Sequence, residues 1–520
     1  MARSLALWLS LSIFMTGASG LIYEYLLSTT SSYIMGSSIE QFSITIALML
    51  LFMGLAGYYQ KNISDRNLIE KFIVVESVLS LVGGLSVVIT YFSFAYLENY
   101  ELIYYLTASF IGFLIGLEIP IVLRINEKYI KKLSENISFI YSADYVGAFV
   151  GALVWVYIIL RHFSLVQAGF ITSAANLLVA VITLFVFERK KGIQYKKVIY
   201  LLVALVFLID IAGFTLSRKI EKFLQRPLYN QPVIFHERTK YQDIAITRNK
   251  KTGEIRLYIN GNLQFSSADE KIYHELLVHP AMNLAGNRKN VLVLGGGDGL
   301  VAREILKYSN VNITLVDLDR EMIEIAKREP LVEINRGSFL NDRVKVINTD
   351  ADVFLVELLK RGIREKYDVV IVDLPDPSTV ELAKLYSVEF YRKLFYLLRS
   401  DGIMAVQSTS PYFAPDAFTC IEKTIEKAGF NILPYHYDVP SFGDWGFVIA
   451  YKFSKEELDK KIKEVNFNTV NLEVLTKEMF LASLVFPKGW IKTKKKEIEV
   501  NSIFSPVIVH YYNDNAWETY

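Results

Sequence analysis

Five aspartates stand where an apolar run gives way to a turn: Asp298, Asp317, Asp350, Asp373 and Asp376. Asp298 lies in a glycine cluster, Val291-Leu-Val-Leu-Gly295-Gly-Gly297-Asp298-Gly. Glycines such as Gly295 and Gly297 let the backbone approach a ligand closely. A strand, a tight turn and a helix start, in that order, suit a nucleoside-bearing cofactor. An acid in that loop repels a phosphate and welcomes a cation, which argues against a dinucleotide and for a positively charged cofactor. Asp317 ends the next apolar run and can accept both ribose hydroxyls. Asp350, in Asn348-Thr-Asp350-Ala351, can accept from an adenine amino group, cap the following helix, or do both. Asp373 and Asp376 flank a proline-stiffened turn, Val370-Ile-Val-Asp373-Leu-Pro-Asp376-Pro377. Three carboxylates converging on one pocket raise one another's pKa unless cations sit between them. The economical occupant of Asp298, Asp373 and Asp376 is therefore an amine beside a sulfonium.

Such a cluster needs strands that end on one edge. Strands are expected at 291–294, 313–317, 344–347, 368–373 and 403–407, alternating with helices, the first of them over 269–285. That alternation predicts a mainly parallel sheet with ligands at the carboxyl ends of its strands. Before it, 241–265 alternate in the strand manner, with Asn260-Gly261 as a hairpin signal. The expected fold is thus an all-α multi-pass transmembrane bundle followed by a Rossmann-like, methyltransferase-type α/β domain with a small antiparallel sheet ahead of it. The expected domains are 1–216 (membrane), 217–268 (linker and small sheet), 269–455 (catalytic) and 456–520 (a C-terminal extension without evident chemistry).

The membrane expectation rests on seven apolar segments, 5–27, 42–60, 69–95, 101–123, 138–160, 166–187 and 197–216. Each is long enough to cross a hydrocarbon layer about 30 Å thick. The spacings Gly112/Gly116 and Gly147/Gly151 let helices pack closely in lipid. Glu24, Glu76, Glu118 and Asp144 fall in or near these segments, where acids are costly and suggest function or internal pairing. Net charge is +2, which points to no nucleic-acid partner. Cys420 is the only cysteine and the six histidines are scattered, so no metal is expected. Lys61 and Arg66 follow the second segment. Arg124, Lys128, Lys131 and Lys132 follow the fourth, and Arg189, Lys190, Lys191, Lys196 and Lys197 follow the sixth. The positive-inside rule places these loops in the cytoplasm. Seven full spans would then leave residues 217–520 outside, in conflict with a cofactor made in the cytoplasm. A cytoplasmic catalytic domain on a multi-pass cell-membrane protein is the reading favoured here.

Taken together, Tyr241-Gln242-Asp243, Asn260-Gly-Asn-Leu-Gln264, Asp269-Glu270, Tyr273-His274-Glu275, the Gly295–Gly299 loop and Asp373-x-x-Asp376-Pro377 resemble the spermidine synthase (polyamine aminopropyltransferase) family over about residues 230–455. Gly17-Ala-Ser-Gly-Leu-Ile-Tyr-Glu24, Gly116-Leu-Glu-Ile-Pro120 and Asp144-Tyr-Val-Gly-Ala148 resemble the membrane segment carried by a subset of that family. The resemblance implies aminopropyl transfer from decarboxylated S-adenosylmethionine to putrescine or a related polyamine, giving spermidine and methylthioadenosine without a metal. It implies Asp373 as general base, helped by Tyr273. It implies His274 and Asp376 on the polyamine, and Gln242 and Asp298 on the aminopropyl end of the cofactor. Asp317 would take the ribose, and Asp350 with the Ala351 backbone the adenine. Leu374 and Pro375 replace the family's small polar residues, Phe442 stands nearest a polyamine-contacting tyrosine, and Val380 replaces a gate proline. These departures fall on the amine side of the site. Homo-oligomers are common among soluble relatives. Two other readings stay open: an S-adenosylmethionine-dependent methyltransferase, which Asp298 disfavours, and a non-catalytic polyamine transporter or sensor.

Overall fold

Long runs of leucine, isoleucine, valine and phenylalanine without a polar stripe form helices that must bury every face. The computed structural model describes residues 2–35, 38–130, 132–188, 193–229, 231–488 and 497–514. Lys131, Arg189, Lys190, Lys191, Trp490 and Trp517 lie outside the described residues. The chain divides into two compact units, Met1–Val233 and Ile234–Tyr520.

In the first unit the long helices are α1 (Ala2–Met35), α2 (Ser38–Tyr59), α3 (Leu68–Tyr96), α4 (Tyr100–Asn126), α5 (Leu133–Val154), α6 (Leu165–Glu188) and α7 (Lys196–Tyr229). A π turn, Trp155–Ile159, continues α5 as far as His162. Among the described residues six helices, α2 to α7, are long and apolar enough to cross a membrane. The seventh expected span, 5–27, falls in α1, which is not among them. Residues 217–229, expected as linker, continue α7.

Small residues set how close these helices come. A Cβ on Gly112 would stand 2.7 Å from the Met49 carbonyl oxygen of α2, and one on Gly116 2.5 Å from that of Met53. On α5, Cβ atoms at Gly147 and Gly151 would meet the carbonyls of Phe14 and Ala18 of α1 at 2.1 and 2.4 Å. Backbones packed at this range gain dispersion contact where lipid offers no hydrophobic drive.

The second unit opens with an antiparallel sheet of four strands in order: β1 (Val233–Arg238), β2 (Asp243–Arg248), β3 (Ile255–Ile259) and β4 (Asn262–Ser266). Asn260 and Gly261 both take positive φ, 51° and 82°, making the tight turn between β3 and β4. Next come α8 (Glu270–Leu284), β5 (Asn290–Gly295), α9 (Leu300–Ile305), β6 (Asn312–Asp317), α10 (Arg320–Ala326) and β7 (Val344–Asn348). They are followed by α11 (Ala351–Lys360), β8 (Tyr367–Asp373), α12 (Val380–Ala383), α13 (Val388–Leu397), β9 (Leu398–Gln407) and α14 (Pro415–Lys427). The chain ends with β10 (Asn431–Val439), β11 (Gly443–Tyr451), α15 (Lys455–Glu464), α16 (Lys477–Ser483) and α17 (Ile508–Asn513).

The larger sheet has seven strands in the order β10-β11-β9-β8-β5-β6-β7. The five expected strands form its parallel part, and β10 and β11 add an antiparallel hairpin beside β9. Strand order turns back between β5 and β8, the kind of switch point where open α/β sheets bind ligands. Two apolar cores, one on each face, hold the sheet. Residues 456–484 belong to the first: Leu458, Val465, Phe467, Leu475 and Phe480 are all buried in it. Glu275 of α8 ties down that segment, its carboxylate accepting from the backbone N–H of Glu473, Val474 and Leu475 at 2.8, 3.0 and 2.8 Å.

Gly116→Val forces a side chain against the Met53 carbonyl. Overpacking of this kind costs about 1–3 kcal/mol, so the thermal midpoint of the purified protein, followed by size-exclusion after heating, is expected to fall by several degrees. An unchanged midpoint would contradict the helix packing described.

Candidate active site

The site is built where β5 and β8 end side by side, Gly295 pairing with Asp373. Gly295 has φ +84°, and a Cβ there would lie 1.9 Å from the Asp373 carbonyl oxygen. No other residue fits that position, and the Gly296 N–H donates to the same Asp373 carbonyl at 3.2 Å. Gly297 is equally confined, since its Cβ would stand 2.8 Å from Asp317 Oδ2 at the end of β6. The expected nucleoside loop and the expected ribose acid are thus in contact.

Asp298 is half-buried, its Oδ1 accepting from the Leu300 N–H at 2.9 Å, and its partial removal from water pushes its pKa up. Tyr273, on α8, donates its phenol to Asp373 Oδ1 at 2.7 Å. Burial, then the Asp298 charge, raises Asp373 to about 6. Asp376 is also half-buried, and its partial removal from water lifts it to about 6. Asp317 rises to about 6 for the same first reason, although its Oδ1 accepts from the Asp319 N–H at 2.8 Å. Desolvation disfavours a carboxylate's charge, and here nothing inside the protein fully repays it.

His274 is the compensating cation. Its Nδ1 lies 2.9 Å from Glu270 Oε2, one turn earlier on α8, and 2.7 Å from the Glu270 carbonyl. Burial alone would lower its pKa, but the Glu270 carboxylate outweighs that and lifts it to about 9. The charge of His274 is felt by Asp298 and Asp373 and favours their ionised forms. Behind it runs a buried chain of pairs. Arg303 Nη1 and Nη2 meet the two Glu270 oxygens at 2.7 and 2.8 Å, Arg303 Nε meets Glu304 at 2.8 Å, and Glu304 meets His279 at 2.8 Å.

The remaining expected residues lie as follows. Gln242 sits in the β1–β2 turn, whose Thr239 hydroxyl donates to Asp319 Oδ2 at 2.6 Å, two residues past the ribose acid. Asp350 caps α11 through the N–H groups of Asp352 and Val353, at 2.8 and 3.2 Å, which places Ala351 at the helix start. Its other oxygen meets Lys384 at 2.6 Å. Phe442 lies in the β10–β11 turn with its ring 6.0 Å from that of Tyr273. Asp269 pins that turn by accepting from the Ser441 N–H and hydroxyl at 2.7 and 2.8 Å.

Two residues on Asp376 were not among the expected ones. Gln407 Nε2, at the end of β9, lies 3.2 Å from Asp376 Oδ1 and 2.6 Å from the Leu374 carbonyl. Tyr512 of α17 donates to Asp376 Oδ2 at 3.0 Å. The extension read as lacking chemistry thus reaches the amine side of the site. Gln407 could have been found as a polar strand end beside β8. Tyr512 carries no such signal. Glu270 could have been found from its spacing of four to His274, which places both on one helix face.

Residues 270–463 match the spermine/spermidine synthase domain family. Polyamine aminopropyltransferase 1 of Streptomyces coelicolor is 38% identical over 98% of this chain and 95% of its own. Polyamine aminopropyltransferase of Leptospira interrogans is 38% identical over 98% of both chains. The crystal structure of spermidine synthase from Thermotoga maritima is 27% identical, covers 51% of this chain and 88% of that one, and has a TM-score of 0.45.

Glu270→Gln removes the counter-charge of His274. The histidine titration, read by NMR of labelled imidazole carbons, is expected to move from about 9 to below about 7. A titration that stayed near 9 would contradict the Glu270 assignment.

Proposed function

The chain belongs to the polyamine aminopropyltransferase family, and from that premise we propose that it transfers the aminopropyl group of decarboxylated S-adenosylmethionine to putrescine, giving spermidine and methylthioadenosine. The sulfonium of that co-substrate makes the carbon beside it electrophilic and leaves as a neutral thioether. Gly295 and Gly297 admit the nucleoside close to the backbone, Asp317 takes the ribose hydroxyls, and Asp350 with the Ala351 N–H takes the adenine. Gln242 and Asp298 hold the aminopropyl end. Asp298 faces a chain that, in the undecarboxylated compound, would bring a carboxylate against it, and like charges brought together cost several kcal/mol.

The observation that carries this reading is the 2.7 Å bond from Tyr273 to Asp373 Oδ1. Oδ2 lies toward Gly296, on the side of the cofactor loop. The acceptor amine arrives as an ammonium, and Asp373 takes one of its protons, freeing the nitrogen lone pair for attack. Asp376 holds the far ammonium, with Phe442 lining that side. His274, itself positively charged, serves the amine indirectly by keeping Asp298 and Asp373 ionised. Positioning and fixed charge supply most of the rate. We also place the catalytic unit on the cytoplasmic side of the cell membrane, because its cofactor is made there.

With full-length protein in nanodiscs, a mass-spectrometric amine screen is expected to show methylthioadenosine and spermidine from decarboxylated cofactor and putrescine. S-adenosylhomocysteine from intact S-adenosylmethionine, or no product at all, would overturn the reading. Asp373→Asn is expected to lower kcat by about 10²–10⁴, and Asp298→Asn to lose activity with the decarboxylated cofactor. A base with a pKa of about 6 must be deprotonated to work, so kcat/KM should fall about tenfold for each pH unit below that value. A flat profile down to pH 5 would exclude Asp373 as the base.

Topology has its own test. The only native thiol, Cys420, is buried, so Lys250→Cys in the exposed β2–β3 turn reports alone. It is expected to react with a membrane-impermeant maleimide only after cells are opened. Labelling of intact cells would put the catalytic unit outside.

A further inference from the structure

The helical unit gathers polar side chains that the transfer reaction does not use. Glu76 of α3, Glu118 of α4 and Asn176 of α6 are 0, 2 and 0% exposed. Asn176 Nδ2 donates to Glu76 Oε2 at 2.9 Å. The Glu76 and Glu118 carboxyls are electrostatic neighbours, the Thr16 hydroxyl of α1 is a further neighbour of Glu118, and neither acid is paired with a lysine, arginine or histidine among the described residues. Three oxygens of this group, Glu76 Oε1, Glu118 Oε1 and Asn176 Oδ1, are buried with no hydrogen-bond partner. A fourth, the Tyr23 hydroxyl of α1, is likewise buried and unpartnered, and its ring fills the space over Gly83 of α3. Buried polar atoms are almost always satisfied, and each exception asks for a reason.

We propose that Glu76, Glu118 and Asn176 form a binding site for a primary ammonium group within the helical unit, additional to the catalytic amine subsite. A primary ammonium carries one positive charge and three N–H donors. The site offers one uncompensated negative charge and three oxygens without a donor. Two neighbouring carboxyls cannot both ionise without a cation between them, so they share a proton. An entering ammonium pairs with the one remaining negative charge and leaves the shared proton in place. A metal ion fits less well, because among the described residues no three acidic, histidine or cysteine side chains are grouped to hold one. Glu76 and Glu118 come from different helices, so the occupant also links α3 to α4. This inference stands on the helical unit alone and not on the transfer reaction.

The test is equilibrium binding of radiolabelled putrescine to the full chain in nanodiscs, with transfer activity measured on the same samples. The wild type is expected to show saturable binding beyond that lost in Asp376→Asn. Glu118→Gln and Asn176→Leu are each expected to lose this additional binding at least tenfold while kcat and KM for transfer stay unchanged. Methylamine should compete at the additional site; sodium and tetramethylammonium, which has no N–H, should not. Competition by tetramethylammonium or equal binding in Glu118→Gln would overturn the proposal. Glu118→Asp, which keeps the charge, should retain binding, and its failure with Asn176→Leu unaffected would equally overturn it. Loss of transfer activity in every sample would instead count against the transfer reaction.

Discussion

Carboxylates removed from water at the ends of β5 and β8 carry more negative charge than the surrounding protein neutralises, and the second unit is organised around that imbalance. Asp298, Asp373 and Asp376 are each pushed toward the neutral form by burial. His274, and for Asp298 also Arg303, offset part of the charge, and Glu270 favours the protonated form of His274. Glu270 is in turn held at about 2, because His274 and Arg303 outweigh its own burial. A fully neutralised pocket would bind cations weakly, and an empty row of ionised acids would destabilise the fold. The partial offset leaves a site that gains stability when ammonium and sulfonium enter.

Covalent geometry fixes where that charge sits. The 1.9 Å approach of the Asp373 carbonyl to a Cβ built on Gly295 means that only glycine lets the loop and the end of β8 lie this close. Tyr273 is set from the other side by ring packing against Phe442 and Phe447 at 6.0 and 5.4 Å. The C-terminal segment completes the amine side. Asn501 bonds to the Ala383 carbonyl and the Val388 N–H, at 2.8 and 3.0 Å, and Tyr512 reaches Asp376. The turn after Asp376 is therefore held from outside as well as by its own prolines, by residues more than a hundred positions away in sequence.

Much of this was readable from local pattern. The five parallel strands announce themselves as apolar runs ending in Gly, Asp, Asn or Gln, and Asn260-Gly261 needs the positive φ that it has. What escaped was non-local or disguised. Pro434 breaks the strand pattern of 431–439, yet β10 is the sheet edge, where a missing N–H costs little. The charged residues after Ser217 read as a linker, but they continue α7 as an amphipathic helix. The cap that Asp350 makes was expected from its position, but its pairing with Lys384 was not, since no spacing rule suggests that partner. Tyr512 lies in an aromatic tail whose composition is equally suited to a lipid surface, so its bond to Asp376 could be found only from the fold.

The account stands or falls on whether the acids over the sheet edge titrate near pH 6, so that an amine entering there displaces the protons they still hold. Putrescine binding to Glu76→Gln protein, with methylthioadenosine present, can be titrated calorimetrically in buffers of different ionisation enthalpy. Carboxyls with pKa values of about 6 should give net proton release near pH 6 and almost none near pH 8. The same proton balance at both pH values would show that the acids do not exchange protons for the amine, and would contradict the account.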